Sequence, residues 1–450
     1  MPGGKATTTT PIRARSAWIG VGVASALIVT AVAIPALTAW EVWANHFPPL
    51  HAEWAPHVGP GTIPAIVLAI LAARFAVDLA ARLPWRGLLP AAFGTAALWL
   101  ASLALVDGPS GLGAILGSRH EYLRTASTIS DVPAFLADYI AHIPLDSVDH
   151  WPIHIAGHPP GAVLFFWVLV TLGLGSWPAA GTVVLLLAAT VPVAVLLTLR
   201  RLGADDAARR AAPLLVFGPA AIWMAVSADA MFAAFAAWGL YLLSVAATAK
   251  RRRVLALGGV GSGLVLGYCV FLSYGLPLLG VLAVAILVIA RSWWALPWAL
   301  GGAATVALSF AAGGFAWWQA YPVLVERYWA GIATRRPAGY WIWGNLAALS
   351  ISAGPLVGSA VAGAVARVRR WREWTSGDRV VVLLTLAAAS TILIADLSQM
   401  SKAEVERIWL PFVPWLLVGT ALLPERWRRG GLVLQVTFAL IVQHLLRTGW

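Results

Sequence analysis

Long apolar runs separated by short polar punctuation dominate this chain. Runs of spanning length fall near 17–42, 60–82, 88–107, 178–199, 212–226, 230–249, 254–272, 275–291, 293–313, 343–367, 380–397, 409–424 and 431–446. About 20 consecutive apolar residues carry a helix across a bilayer, so the pattern predicts an all-α polytopic membrane protein with about 13 transmembrane helices. One further apolar segment, 161–175, is only about 15 residues long and follows two prolines. It reads as an interfacial or half-inserted helix that does not cross.

The polar punctuation gives orientation. Basic clusters at Arg13 and Arg15, Arg82 and Arg86, Arg200 to Arg210, Lys250 to Arg253, Arg367 to Arg379 and Arg426 to Arg429 favour the cytoplasmic side. Letting 161–175 cross would put two of these clusters outside. Parity then places residues 1–16 as a cytoplasmic tail, the C-terminus outside, and the outer loops at 43–59, 107–160, 227–229, 273–274, 314–342 and 397–408. The apolar run behind the basic N-terminal flank, at about 25 residues, is too long for the core of a signal peptide and is read as a retained first helix. The expected location is the plasma membrane.

Composition narrows the picture further. The chain is 60% hydrophobic and 11% charged, with a mean hydropathy of +0.80, which leaves no stretch for a separate soluble domain. One membrane domain, 1–450, is expected. Topology accounts for the net charge of +12, so nucleic acid is not an expected partner and membrane lipids are. The single cysteine, Cys269, excludes an intramolecular disulfide and a cysteine-based metal site. Many of the 25 tryptophans stand near helix ends, as in an interfacial belt.

Titratable chemistry gathers on the outer loops. Eight of the nine histidines lie there: His46, His51, His57, His120, His142, His150, His154 and His158. The first three are read as interfacial residues in preference to a second polar cluster near the site. In the 107–160 loop, Tyr122, Ala126, Ile129, Val132, Phe135, Leu136 and Tyr139 form an apolar stripe at helical spacing, so short amphipathic helices are expected. These bring Glu121, Asp131 and Asp138 to the bilayer surface, where a partly desolvated carboxylate can act as a general base. DHWPIHIAGHPPGAVLFF follows at 149–166, with His154 and His158 four apart. Pro152, Gly157, Pro159 and Pro160 argue against a regular helix, so no metal ligand set is assigned, and a divalent ion is kept only as an alternative to hydrogen bonding. Arg335, Arg336, Lys402 and Arg407 are outer cations against the topological bias, suited to a lipid phosphate. An ion pair such as Glu406 with Arg407 is the competing use.

The order of these features resembles GT-C fold glycosyltransferases, which take sugars from polyprenyl-phosphate carriers. His120-Glu121-Tyr122-Leu123 stands where such enzymes carry an acidic pair, with His120 replacing its leading acid, and His158-Pro159-Pro160-Gly161 looks like their PP-containing motif. GPAAIWMAVSADAMFAAFAAWGLYLL (218–243), with Asp229, and the stretches RRPAGYWIWGNLAALSISAGP (335–355) and SKAEVERIWLPFVPWLL (401–417) are similar to further segments of actinobacterial members. The resemblance implies a mannosyl- or arabinosyltransferase-like enzyme of cell-envelope biosynthesis. It would move a sugar from a polyprenyl-phosphate donor to an extracytoplasmic glycan or glycolipid acceptor, with inversion. Glu121 or Asp131 would be the catalytic base. His120, Tyr122, His154, His158, Asp229, Arg335, Arg336, Tyr340, Lys402 and Arg407 would bind substrate, with Arg407 first for the leaving phosphate. The alternative is a secondary transporter or lipid-linked-glycan flippase, which calls for midplane charges and internal symmetry. A non-catalytic scaffold would need no such gathering of acids and cations.

Overall fold

The computed structural model describes residues 14–44 and 46–449. Most of the expected cytoplasmic tail, residues 1–13, lies outside the described residues, and residues 14–16 already belong to the first helix, Ala14–Thr38. The fold is all-α. The strands Ala52–Trp54 and Leu446–Thr448 form a single antiparallel pair.

Among the described residues, seven helices are long and apolar enough to cross a membrane: Ala14–Thr38, Thr62–Arg82, Trp85–Asp107, Trp177–Arg201, Ala228–Ala247, Arg252–Leu272 and Ser376–Leu397. Two bent pairs raise the number to nine if each is one span: Leu296–Ala312 with Trp317–Ala330 at 74°, and Ala338–Ser352 with Leu356–Val368 at 108°. The chain is therefore a multi-pass membrane protein by helix length and composition.

Several of the thirteen apolar runs are not single helices, and the local chemistry says why. Run 212–226 is split into Asp205–Val216 and Ala221–Met224 at Gly218-Pro219, where proline has no N–H to give and restricts the residue before it. Run 409–424 becomes Val413–Leu417 continued as a 3-10 turn, Val418–Leu422, with every residue from 409 to 423 buried. Irregular backbone of this kind is tolerated at membrane depth when protein surrounds it. Run 343–367 breaks at Ala353-Gly354-Pro355. There Gly354 takes φ +80°, and Gln435 replaces the lost helix bonds by donating to Ala353 O (2.8 Å) and accepting from Leu356 N (3.3 Å). Residues 314–342, expected as loop, contain the helix Trp317–Ala330. The helix Gly161–Thr171 has 11 residues, about 16 Å at 1.5 Å per residue, too short to cross as one helix.

The basic clusters around Arg82, Arg200 to Arg210 and Arg426 to Arg429 meet at one end of the bundle. Arg209 donates to Ala80 O and Leu83 O, Trp85 donates to Asp205, Arg429 pairs with Asp78 at 2.9 Å, and Arg201 donates to Thr248. Thr248 follows the C-terminus of helix Ala228–Ala247, a 20-residue rod about 30 Å long. Asp229 is at its other end, among the residues described next.

Candidate functional site

Glu121 precedes the short helix Tyr122–Ala126 in the 107–160 loop. The apolar stripe read from the sequence is the buried or half-buried face of this helix and of Val132–Asp138. That packing draws Glu121 inside, where it is 5% exposed. A second segment supplies its partner. Residues Ile153–Ala156 form one helical turn, and the Tyr139 hydroxyl donates to both Ile155 O (2.7 Å) and His158 O (2.9 Å), pinning the turn from either side. Arg327 ties down the preceding loop through Ile143 O (2.6 Å) and Trp151 O (2.9 Å). So fixed, His154 Nδ1 stands 2.7 Å from Glu121 Oε1.

Two more segments complete the group. Arg407, in the short helix Val405–Ile408, donates from Nη1 to Asp229 Oδ2 (2.6 Å) and from Nη2 to Glu404 Oε2 (2.9 Å), and its Nη2 lies 3.2 Å from His154 Nε2. Glu404 also pairs with Arg336 at 3.6 Å. Glu121, His154, Asp229 and Arg407, four residues read from the sequence, thus converge on one buried network. Two guanidinium groups face three carboxylates in it, so it carries no spare cation.

That composition sets the electrostatics. Burial alone would raise the Glu404 carboxyl, but Arg407 and Arg336 outweigh it and hold the group down at about 2. Arg407 is pushed up: burial opposes its charge, and Asp229, Glu404 and Glu121 together overcome that opposition. Burial brings His158 down to about 4, so this imidazole is neutral at pH 7 and donates from Nδ1 to His154 O at 2.9 Å. Tyr122, fully buried, stacks on Phe166 with its ring centroid 5.6 Å from that of His158; burial raises its phenol well above the usual range.

The loop carrying Glu404 is strained. Gln399, Ala403 and Glu404 all have positive φ, at 56°, 70° and 61°. Such backbone persists only where its surroundings over-determine it. Here Asn345 accepts from Ala403 N (3.1 Å) and donates to Asp396 and Ser401 O, Arg336 donates to Lys402 O, and Tyr328 accepts from Lys402 N. Lys402 Nζ in turn donates to Ala333 O and Arg336 O.

The remaining sequence candidates are placed as follows. Asp131 is exposed and caps helix Val132–Asp138 by accepting from Ala134 N, outside the network. Arg336 and Lys402 are buried, and main-chain carbonyls take much of their hydrogen bonding, so they hold loops together. Tyr340 is buried and donates to Ala31 O of the first helix. His120 lies beside Glu121, half-buried, accepting from Arg119. Arg335 is exposed, its guanidinium 5.1 Å from the Trp43 ring centroid. Arg407 does form ion pairs, with Asp229 and Glu404. Among the described residues no three His, Cys, Asp or Glu side chains come together as a metal site.

Sequence reasoning missed two residues here. Glu404 was overlooked because its left-handed backbone leaves no mark in hydropathy. His51, read as interfacial, donates its N–H to Glu406 Oε1 at 3.0 Å, and its imidazole is lowered by burial, with Arg336 and Arg407 adding to the effect. Glu406 itself is fully buried, and burial raises its carboxyl from 4.5 to about 7. Between those values the folded chain holds a proton that the unfolded chain has lost, so stability falls as pH rises through that window. The melting temperature is expected to decline from pH 5 to pH 8, and Glu406→Gln to flatten that decline. An unchanged pH profile in the variant would contradict the assignment. Glu404 acts in the opposite sense: its contribution is complete above pH 4.5 and is lost as pH falls toward 2.

Two apolar cavities lie away from this network. One of about 280 Å³ is lined by residues such as Leu71, Phe75, Leu79, Ala92 and Val216, and a smaller one by residues such as Leu100, Val191 and Leu417. No protein-family model matches the chain, and no curated protein matches its sequence.

Proposed function

We propose that the chain is an integral-membrane glycosyltransferase with a GT-C-like arrangement of about 13 crossings, working on the extracytoplasmic side of the plasma membrane. The observation that carries this reading is the buried network itself. Glu121, His154, Asp229 and Arg407 come from four segments far apart in sequence and meet at one end of a helix whose other end borders the basic clusters. A buried carboxylate held by a directed hydrogen bond suits proton abstraction.

In the proposed reaction Glu121 takes the proton of an acceptor hydroxyl. The hydroxyl oxygen bonds to the anomeric carbon of a polyprenyl-phosphate sugar as the bond from that carbon to the phosphate oxygen breaks. Polyprenyl phosphate leaves, and configuration inverts. Arg407, engaged by carboxylates, organises the base. The exposed Arg335 is the outer cation best suited to the departing phosphate. The bent helix pairs would suit a transporter, but such proteins keep their working charges near the midplane, and Asp229 is in the first turn of a full-length span.

The test is consumption of donor by the purified protein in lipid vesicles, with radiolabelled polyprenyl-phosphate mannose and polyprenyl-phosphate arabinose assayed in parallel against cell-envelope glycan and glycolipid acceptors. Labelled product with release of polyprenyl phosphate supports the reading; intact donor in every combination overturns it. In the same assay Asp131→Asn is expected to match the wild-type rate, and its stability to change by no more than a few tenths of a kcal/mol, because Asn caps a helix about as well as Asp. A large loss of transfer there would return Asp131 to the role of base.

A further inference from the structure

Building on the transferase reading, in which Glu121 is the base, we infer that His154 is the positioning residue for that base, locked by Arg407 into the tautomer that carries its proton on Nδ1. The argument is one of donors and acceptors. A guanidinium can only donate, so His154 Nε2, 3.2 Å from Arg407 Nη2, must present its lone pair. An ionised carboxylate can only accept, so Nδ1, 2.7 Å from Glu121 Oε1, must carry the hydrogen. A proton added at Nε2 would point N–H at N–H. The ring is therefore a strut between a permanent cation and the carboxylate, and it does not take the acceptor's proton itself.

The surroundings hold this strut in place. The backbone of its turn is fixed by the Tyr139 hydroxyl through Ile155 O and His158 O, and its own carbonyl accepts from His158 Nδ1. Arg407 is anchored in turn by Asp229 and Glu404. With Oε1 engaged by His154, Oε2 is the Glu121 oxygen that receives the acceptor proton. Arg407 and Asp229, far from Glu121 in sequence, thereby set the direction in which the base points.

The test compares His154→Gln with His154→Ala in the full-length protein. A glutamine amide offers an N–H donor and a C=O acceptor, so it can reproduce the bridge without being able to titrate. His154→Gln is expected to keep transfer within about tenfold of wild type, and His154→Ala to lose roughly 100-fold, the scale on which misplacing a catalytic group by 1 Å costs rate. If His154→Gln loses as much as His154→Ala while the wild type is active, the positioning role is wrong. Nitrogen-15 NMR of histidine-labelled protein in lipid gives a readout that does not depend on turnover, with the His154 signals identified by their loss in His154→Gln. Protonated Nδ1 with unprotonated Nε2 is expected; an Nε2-protonated or doubly protonated ring overturns the inference. A wild-type protein that consumes no donor would defeat the transferase reading, while the NMR result would still decide the tautomer.

Discussion

Glu121→Gln is expected to reduce sugar transfer by a factor on the order of 10² to 10⁴, the usual contribution of a general base, while leaving the protein folded. The two effects separate because glutamine matches glutamate in shape and its carbonyl can still accept from His154 Nδ1. What it loses is the capacity to take a proton. The network also has an excess of carboxylates, so removing this negative charge leaves two guanidinium groups against two carboxylates. The melting temperature should therefore hold or rise. Initial rates with labelled donor and a thermal melt on the same preparation check both halves. Wild-type transfer in the variant would remove Glu121 from the mechanism.

Arg407→Met is expected to carry the largest stability cost of any substitution in the site. The guanidinium is 5% exposed and the Asp229 carboxylate it faces is 4% exposed. Taking away one member of such a buried pair strands the other's charge in a poorly polarisable environment, a loss of about 3–5 kcal/mol. Asp229 is left in that position, while Glu404 keeps Arg336 at 3.6 Å. Adding Asp229→Asn to Arg407→Met should recover part of the loss, because the second change then removes a stranded charge in place of a paired one. Chemical or thermal unfolding of the two single variants and the double variant in detergent measures this. Strict additivity of the two changes, or a cost under about 1 kcal/mol for Arg407→Met, would show that the pair does not hold the core of the site.

Part of the buried network was legible in the sequence. Glu121, His154 and Arg407 were reached as polar residues of the expected outer loops and Asp229 through the family resemblance, and the structure joins them. Asp131 shared every sequence property of Glu121 that mattered, namely an acid in the same loop beside the same apolar stripe. Both acids precede a short helix, but Asp131 spends its carboxylate on the backbone N–H of Ala134 and stays exposed, whereas Glu121 makes no such cap and is buried. Arg336 and Lys402 looked like phosphate cations because they fall on expected outer loops; whether a cation faces solvent or a row of carbonyls is decided by how two distant loops pack. The breaks within the apolar runs were hidden by the same limit. Hydropathy registers that a run is apolar, and it does not register that Gly218-Pro219 or Gly354-Pro355 breaks it inside the protein.

The sequence by itself determined the solvent: apolar runs of membrane length and an all-α multi-pass chain. These follow from local composition, because transfer free energy is summed residue by residue along a segment. Only the tertiary structure decided which charges meet. Asp229 and Arg407 are 178 positions apart and Arg407 and His154 are 253 apart, and their pairing depends on the packing of whole helices and on a strained loop at Glu404 that Asn345 and Arg336 hold in place. Interactions so directional, between groups so distant along the chain, leave no periodicity in the sequence to be read.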